Sequence, residues 1–491
     1  MKTPERSAPE ATLVQGSNSQ RYARNAVWLL VGEVGGKIAS LVFVVFVARS
    51  LGATQYGYFS FALSYAGIFL LFGAWGIRAA LLRDLARDRD RISELFASGL
   101  VLRTAFGAAG MIAALALSPL FVNVKDAFLT VLIVGTAVFF DELSTFLEIV
   151  FNAFERMKFG ALALLINRFV STVLAVLVLL FARSLVWVSV TYMAGSLLAL
   201  SFAWYTLKRF FPPVHLRDAR RATVVTLLKE GAPLGVATFL NSTLFRVDSV
   251  MLQALRGATE VGIYGAAYRF LESFLFVSWA IATPAFPQIS RAGKGERSLK
   301  TYVMAMTLIL SFYLPVAVIG PFAARWAVVE LFSARYAAAS RAVFWLTTAA
   351  ALYAIAYTSR LCAIALGDRK RVVAIAAITL AINVALNAVF IPRFGFVAAA
   401  ANTAIAEVIE ATLLTLLFLR SVDASASGRS LVIPVTAAAV TGVLLWITGV
   451  HGLSAVVVAA LVYPSALIVS ARLIAPDVLG QARSFLRTRR G

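Results

Sequence analysis

Fifteen ionisable side chains interrupt the long apolar runs of this sequence: Lys37, Arg78, Arg103, Arg168, Arg246, Arg269 and Arg360, with Glu33, Asp141, Glu142, Glu148, Asp248, Glu272, Glu407 and Glu410. At about 3 kcal/mol for each charge near the centre of a membrane-spanning helix, leaving all of them in lipid would cost about 45 kcal/mol, several times the net stability of a domain. They must pair or face water. Glu33 and Lys37 are four residues apart, and Arg269 and Glu272 three, so each pair shares a helical face. Arg246 and Asp248 lie at a depth that suits Arg269 and Glu272, and a four-residue network is expected there. Arg78, nearest a span end, can snorkel to lipid phosphates, whereas Arg103 and Arg168 sit deeper and need a cavity or a carboxylate such as Glu148. A guanidinium-rich cavity suits phosphate, because the planar fork pairs with two oxygens at once. Asp141, Glu142, Asp248, Glu272 and Glu407 are the candidates for proton or sodium coupling.

Other chemistry finds little support. His215 and His451 fall in loops on opposite sides of the membrane, so no metal site is expected, and Cys362 sits alone in an apolar run. Asp88-Arg89-Asp90 has the D-x-D spacing that can hold a metal-bound nucleotide sugar, but it stands in a run of alternating charges and reads as a solvated loop. Asn241-Ser242-Thr243 matches a glycosylation sequon inside a span, out of reach of any transferase. There is no G-x-x-x-x-G-K-[ST] phosphate loop, so no nucleotide cofactor is expected, and no cofactor of another kind is called for. A formal net charge of +21 would suggest nucleic acid in a soluble chain. Here the basic residues cluster in short loops between apolar runs, where they set topology, and no nucleic-acid partner is expected.

The elements that must position these charges are all helical. Hydrophobic residues make up 60% of the chain, and apolar stretches long enough to cross a hydrocarbon core of roughly 30 Å recur throughout. The expected spans are 25–47, 57–82, 95–118, 126–151, 161–182 and 184–208, then 227–253, 262–290, 301–324, 341–366, 371–391 and 395–420, with a terminal pair at 431–449 and 452–475. This is an all-α polytopic membrane protein of about fourteen transmembrane helices. Lys and Arg favour the two tails and alternate loops, including Arg83, Arg87, Arg89 and Arg91, then Arg209, Arg217, Arg220 and Arg221, then Arg291, Lys294, Arg297 and Lys300. That bias predicts cytoplasmic termini in a cell membrane. The loop from Gly52 (G-A-T-Q-Y-G-Y-F) and the loop from Gly257 (G-A-T-E-V-G-I-Y) share a pattern at a spacing of 205 residues. Two six-helix repeats follow, parallel because six is even. The expected organisation is a disordered cytoplasmic tail at 1–24, a first lobe at 25–208, a basic linker at 209–226, a second lobe at 227–420, the terminal pair at 431–475 and a basic tail at 476–491. Gly32, Gly35 and Gly36 in the first span, and Gly231, Pro233 and Gly235 in the seventh, are read either as bends for alternating access or as close helix packing.

Three segments carry a family resemblance: Ala48-Arg49-Ser50-Leu51-Gly52 through Tyr56-Gly57, Phe72-Gly73 and Arg83-Asp84; Val261-Gly262-Ile263-Tyr264 through Ala267-Tyr268-Arg269, Pro284 and Pro287; and Leu366-Gly367-Asp368-Arg369 with Asn383, Asn387, Ile391-Pro392-Arg393-Phe394-Gly395 and the Ala-rich run to Glu407. With them the chain resembles the polysaccharide exporters of the multidrug, oligosaccharidyl-lipid and polysaccharide (MOP) superfamily, which includes O-antigen and lipid II flippases. The resemblance implies a V-shaped pair of six-helix lobes around a central cationic cavity that carries a polyprenyl-diphosphate-linked oligosaccharide to the outer leaflet. It implies that Arg78 and Arg269 meet the headgroup, that Lys37 and Glu33 line the cavity, and that polysaccharide polymerases or glycosyltransferases are partners. Asp141 and Glu142 depart from a uniformly cationic cavity. The alternatives are a cation-coupled drug or metabolite antiporter of the same fold, and a membrane enzyme, for which the short loops leave little room.

Overall fold

The computed structural model describes residues 10–71, 76–422 and 428–474; the first nine residues and the basic tail from 475 lie outside the described residues. Fifteen α-helices carry the described chain: α1 (Glu10–Leu70), α2 (Ile77–Arg87), α3 (Ile92–Leu117), α4 (Lys125–Ala153), α5 (Lys158–Phe181), α6 (Leu185–Phe210), α7 (Arg221–Arg256), α8 (Ala258–Ala282), α9 (Ala285–Ala292), α10 (Glu296–Phe332), α11 (Ser340–Ala365), α12 (Arg369–Phe394), α13 (Phe396–Arg420), α14 (Arg429–Thr448) and α15 (Leu453–Ile474). Helix begins at Glu10, inside the segment expected to be a disordered tail.

The apolar part of α1, Arg24–Leu70, has 47 residues. Straight, it would run about 70 Å, more than twice the hydrocarbon thickness. At Gly52 the backbone takes φ 80° and ψ 175°, a region essentially restricted to glycine, and one long helix becomes two spans. Among the described residues twelve helices are long and apolar enough to cross a membrane, thirteen when α7, broken between Ala232 and Gly235, is taken as one span. Dividing α1 at Gly52 brings the number to fourteen, as the hydropathy pattern predicts. The protein is a multi-pass membrane protein. Two expected spans are themselves interrupted, one between Leu70 and Ile77 and the other at Thr283 and Pro284, which separate α8 from α9.

The glycines of the first span turn out to serve packing. A Cβ at Gly32 would lie 2.9 Å from that of Ala161, and one at Gly35 would lie 2.9 Å from Leu165 Cδ2, so these positions let α1 approach α5 closely. Backbone outside the helical region occurs in α1 only at Gly52, whereas α7 does break beside Gly231 and Gly235.

Contacts divide the chain into two units, Met1–Val47 with Phe69–Gly235, and Ala48–Ile68 with Val236–Gly491. The first is built on a cluster in which Leu81, Phe96, Phe146, Val150 and Phe151 are buried together. In the second, the repeated loops meet one another. Thr54 Oγ1 lies 2.8 Å from Thr259 Oγ1, its counterpart 205 residues on. A Cβ at Gly57 would overlap the carbonyl oxygen of Ala258, and a Cβ at Gly262 would overlap that of Ala53. Gly257 repeats the backbone of Gly52, with φ 85° and ψ 176°. Each copy therefore touches the other through the same atoms, as expected of two parallel repeats about a local two-fold axis. The terminal pair packs on α10, with Ala437, Ala438 and Tyr463 against Leu314 and Val318, and Leu445 and Ala459 against Ile319 and Phe322. Large apolar side chains such as Phe181 (89% exposed) and Leu473 (78%) stand on the outside, a surface suited to lipid.

Candidate functional site

In the first unit, α3 and α4 bring Arg103 onto Glu142, which it engages through an ion pair and through a bond from Nη2 to the Glu142 carbonyl oxygen at 3.3 Å. Arg103 is therefore held by a carboxylate, though by Glu142 in place of the expected Glu148. Glu148, one and a half turns on, packs against Gly160 of α5 and lies within electrostatic reach of Arg78 and Glu33. Arg78 also lies within reach of Arg103. Among the described residues Arg78 makes no ion pair and no side-chain hydrogen bond, and it is exposed near the start of α2. Glu33 and Lys37 are both exposed on α1, with no ion pair between them.

Asp141 precedes Glu142 in the chain but points elsewhere, because successive helical residues are turned by about 100°. It accepts a bond from Asn167 Nδ2 at 2.5 Å on α5 and one from Tyr192 Oη at 3.3 Å on α6. Arg168 donates to the same Tyr192 oxygen at 3.2 Å. This makes a second polar cluster, with Ser196 bonded to Asn167 at 3.2 Å behind it.

The second unit does not assemble the expected network of Arg246, Asp248, Arg269 and Glu272. Arg269 and Glu272 pair at 2.5 Å, as their spacing predicts. Arg246 turns back to the Ser242 carbonyl oxygen at 3.2 Å and lies against Gly67, where a Cβ would collide with its guanidinium. Asp248 is fully buried among neutral donors: Asn387 Nδ2 at 2.6 Å, Tyr264 Oη at 2.9 Å and Thr403 Oγ1 at 2.5 Å. Asn387 bonds in turn to Asn383 and Asn402, both at 3.0 Å. Three donors satisfy this carboxylate without any cation. A further cluster joins α11 to α13, where Arg360 Nη2 meets Glu410 Oε1 at 2.6 Å and Glu407 lies one turn before Glu410.

Arg360 and Glu410, and the neutral residues Asn167, Tyr192, Tyr264, Asn402 and Thr403, were not among the residues singled out as sites. Asn383 and Asn387 carried a usable signal, since two asparagines four apart in an apolar run share one helical face. Among the described residues no group of three His, Cys, Asp or Glu side chains could hold a metal ion.

Three comparisons bear on this arrangement. Residues 22–293 match the model of a family described as polysaccharide biosynthesis protein. An uncharacterized membrane protein of Methanocaldococcus jannaschii is 20% identical over 308 residues, 59% of this chain and 72% of that protein. Among solved structures, the lipid II flippase MurJ in an inward closed conformation superposes with a TM-score of 0.74 at 14% identity, over 92% of this chain and all of the flippase chain. An inward-facing multidrug resistance MATE family transporter of the MOP superfamily gives 0.65 at 15% identity, over 81% and 97% of the two chains. The fold is that of these transporters.

Proposed function

The chain belongs to the polysaccharide biosynthesis protein family of the MOP exporter superfamily, and from this premise we propose that it flips a polyprenyl-diphosphate-linked oligosaccharide from the cytoplasmic to the outer leaflet for cell-surface polysaccharide assembly. The protein has the fold of membrane transporters; the substrate is the proposal. The observation that carries it is the contrast among the cations. Arg103, Arg269 and Arg360 are each held by a glutamate. Among the described residues Arg78 has no such partner, and Lys37 stands exposed on α1. An exposed cation within or beside apolar spans calls for an anion, and a diphosphate offers several oxygens to one guanidinium. The family name and the likeness to a lipid II flippase support a lipid-linked glycan over a free anion.

In this reading Arg78 and Lys37 meet the diphosphate first, with Glu33 and Arg168 at the margins, and alternating access moves the headgroup while the lipid tail stays in the bilayer. An inside-negative potential would assist outward movement of an anion by about 2.3 kcal/mol per charge per 100 mV. The protein would sit in the cell membrane with both termini cytoplasmic, beside the polymerase or glycosyltransferases that consume and supply its substrate. The test is depletion of the protein followed by assay of which leaflet holds the lipid-linked glycan. Accumulation on the cytoplasmic side is expected; normal appearance outside would reject the reading. A cation-coupled drug or metabolite antiporter is the second reading, favoured by the carboxylates Asp141 and Asp248, which accept hydrogen bonds from neutral side chains. Its mark would be efflux of cationic dyes that stops when Asp141 or Asp248 is replaced by its amide.

A further inference from the structure

Among the described residues three acids are fully buried, Asp248, Glu407 and Glu410. Asp248 has three donors and Asp141 two, while Glu142 and Glu272 have arginines. Glu407 has none: both of its carboxyl oxygens are buried without a hydrogen-bond partner, as is Glu410 Oε2, and each of these glutamates is 1% exposed. They lie three apart on α13, on one helical face, and the cation they confront is Arg360 of α11, whose side chain is 12% exposed and whose Nε also lacks a partner. We propose that Glu407, Glu410 and Arg360 form a carrier site for a single exchangeable proton within the second unit, the proton that the transport cycle takes up and gives back.

The argument is one of charge balance. Two carboxylates and one guanidinium in a dry site carry one uncompensated negative charge, and an isolated carboxylate in such surroundings is too costly to keep. Among the described residues, the charged groups within electrostatic reach of Glu407 are Glu410 and Arg360. The elements packed against α13 include α11, α12 and α8, with α7 through Asp248 and Thr403 and α10 through Tyr302 and Thr415; Arg246 of α7 turns back to the Ser242 carbonyl and Arg269 of α8 pairs with Glu272. Besides Arg360, α11 presents Tyr353, and α8 presents Tyr268, both within electrostatic reach of Glu407. On α12 the charged residues Arg369, Lys370, Arg371 and Arg393 occupy the two ends, away from its middle. One proton on the glutamate pair therefore makes the triad neutral, and Arg360 can move from one carboxylate to the other as that proton changes place. A site of this composition releases its proton when water reaches it and recovers it when water is excluded, which is what opening to one side and then the other would bring about. Tyr353 links the site to Trp279 of α8, whose Nε1 donates to the Tyr353 oxygen at 3.2 Å, so a change at Arg360 has a route to the exposed face of α8. The inference rests on the transporter reading for its purpose and on this geometry alone for its existence.

Infrared spectroscopy of the full-length protein in lipid vesicles tests it, because a protonated carboxyl group shows a C=O stretch that a carboxylate lacks. Relative to wild type, Glu407→Gln should lose one protonated carboxyl, and Glu410→Gln should lose it too, since the remaining glutamate then takes Arg360 for itself. Arg360→Met should have the opposite effect and double the signal of the triad, because two acids without a cation both keep protons. The half-buried pair of Arg269 and Glu272 offers a control, and Glu272→Gln should leave the band unchanged. The wild-type band should also fall and return reversibly as vesicle pH is raised and lowered. A band that survives Glu407→Gln overturns the site, and a triad band that does not respond to pH short of unfolding overturns its exchange. No glycan enters the measurement, so its failure would leave the flippase reading standing, and failure of the leaflet assay would leave this site intact.

Discussion

A guanidinium inside a membrane protein is informative mainly through what holds it. Arg103 is nearly buried and engaged by Glu142, so Glu142→Gln should strand a charge and destabilise the protein by about 3–5 kcal/mol. Thermal unfolding in detergent would show this as a large fall in midpoint, and Arg103→Met combined with Glu142→Gln should recover most of the loss. A double variant as unstable as the single one would mean that the pair does not act as a unit. Arg78 should behave in the opposite manner, since it has no carboxylate to abandon: Arg78→Gln should leave the melting midpoint within about 0.5 kcal/mol of wild type. At this scale the sequence was legible wherever partners share a helix, as with Arg269 and Glu272. It was silent where they do not. Nothing in the order of residues says that Asp141 turns to Asn167 while its neighbour Glu142 turns to Arg103, because that depends on which helices flank α4.

Elements were more legible than contacts. Hydropathy located the spans because lipid requires every backbone group to be satisfied within the helix, leaving long apolar runs as the signature. It could not find the breaks inside them. Gly32 and Gly35 look as flexible as Gly52 in sequence, yet they are helical and packed on α5, while Gly52 and Gly257 take an extended backbone at positive φ. A substitution series separates the two uses. Around Gly52 and Gly257 nothing lies within 4 Å of an added Cβ, so Ala there meets only backbone strain of about 1–3 kcal/mol. Gly57→Ala and Gly262→Ala keep helical backbone but drive a methyl group into the facing carbonyl oxygen of the other repeat. They should cost more than Gly52→Ala in unfolding midpoint, and by similar amounts to each other because the contact is symmetric. Unequal or negligible losses would argue against the two-fold contact.

For the whole molecule, the 205-residue repeat and the charge bias of the loops describe a transporter of two parallel repeats with a terminal pair packed on α10. The topology expected from the basic loops is open to labelling. With Cys362 replaced by Ala, a single cysteine at Arg217, between α6 and α7, should react only with membrane-permeant reagents in intact cells. One at Arg183, between α5 and α6, should react with impermeant ones. The reverse pattern would invert the protein and the direction proposed for it.

The claim on which the account turns is that exposed cations of the first unit receive the diphosphate of a lipid-linked glycan. The most direct measurement reconstitutes the purified full-length chain into vesicles with a labelled polyprenyl-diphosphate oligosaccharide and follows, with an added glycan-cleaving enzyme, how fast the inner-leaflet pool becomes accessible. The wild-type protein should expose that pool, and Arg78→Gln, equally folded, should slow it about tenfold, the loss expected from one charge-assisted bidentate contact. An inner pool that stays protected in the presence of wild-type protein, or an Arg78→Gln variant that is as fast as wild type, would contradict it.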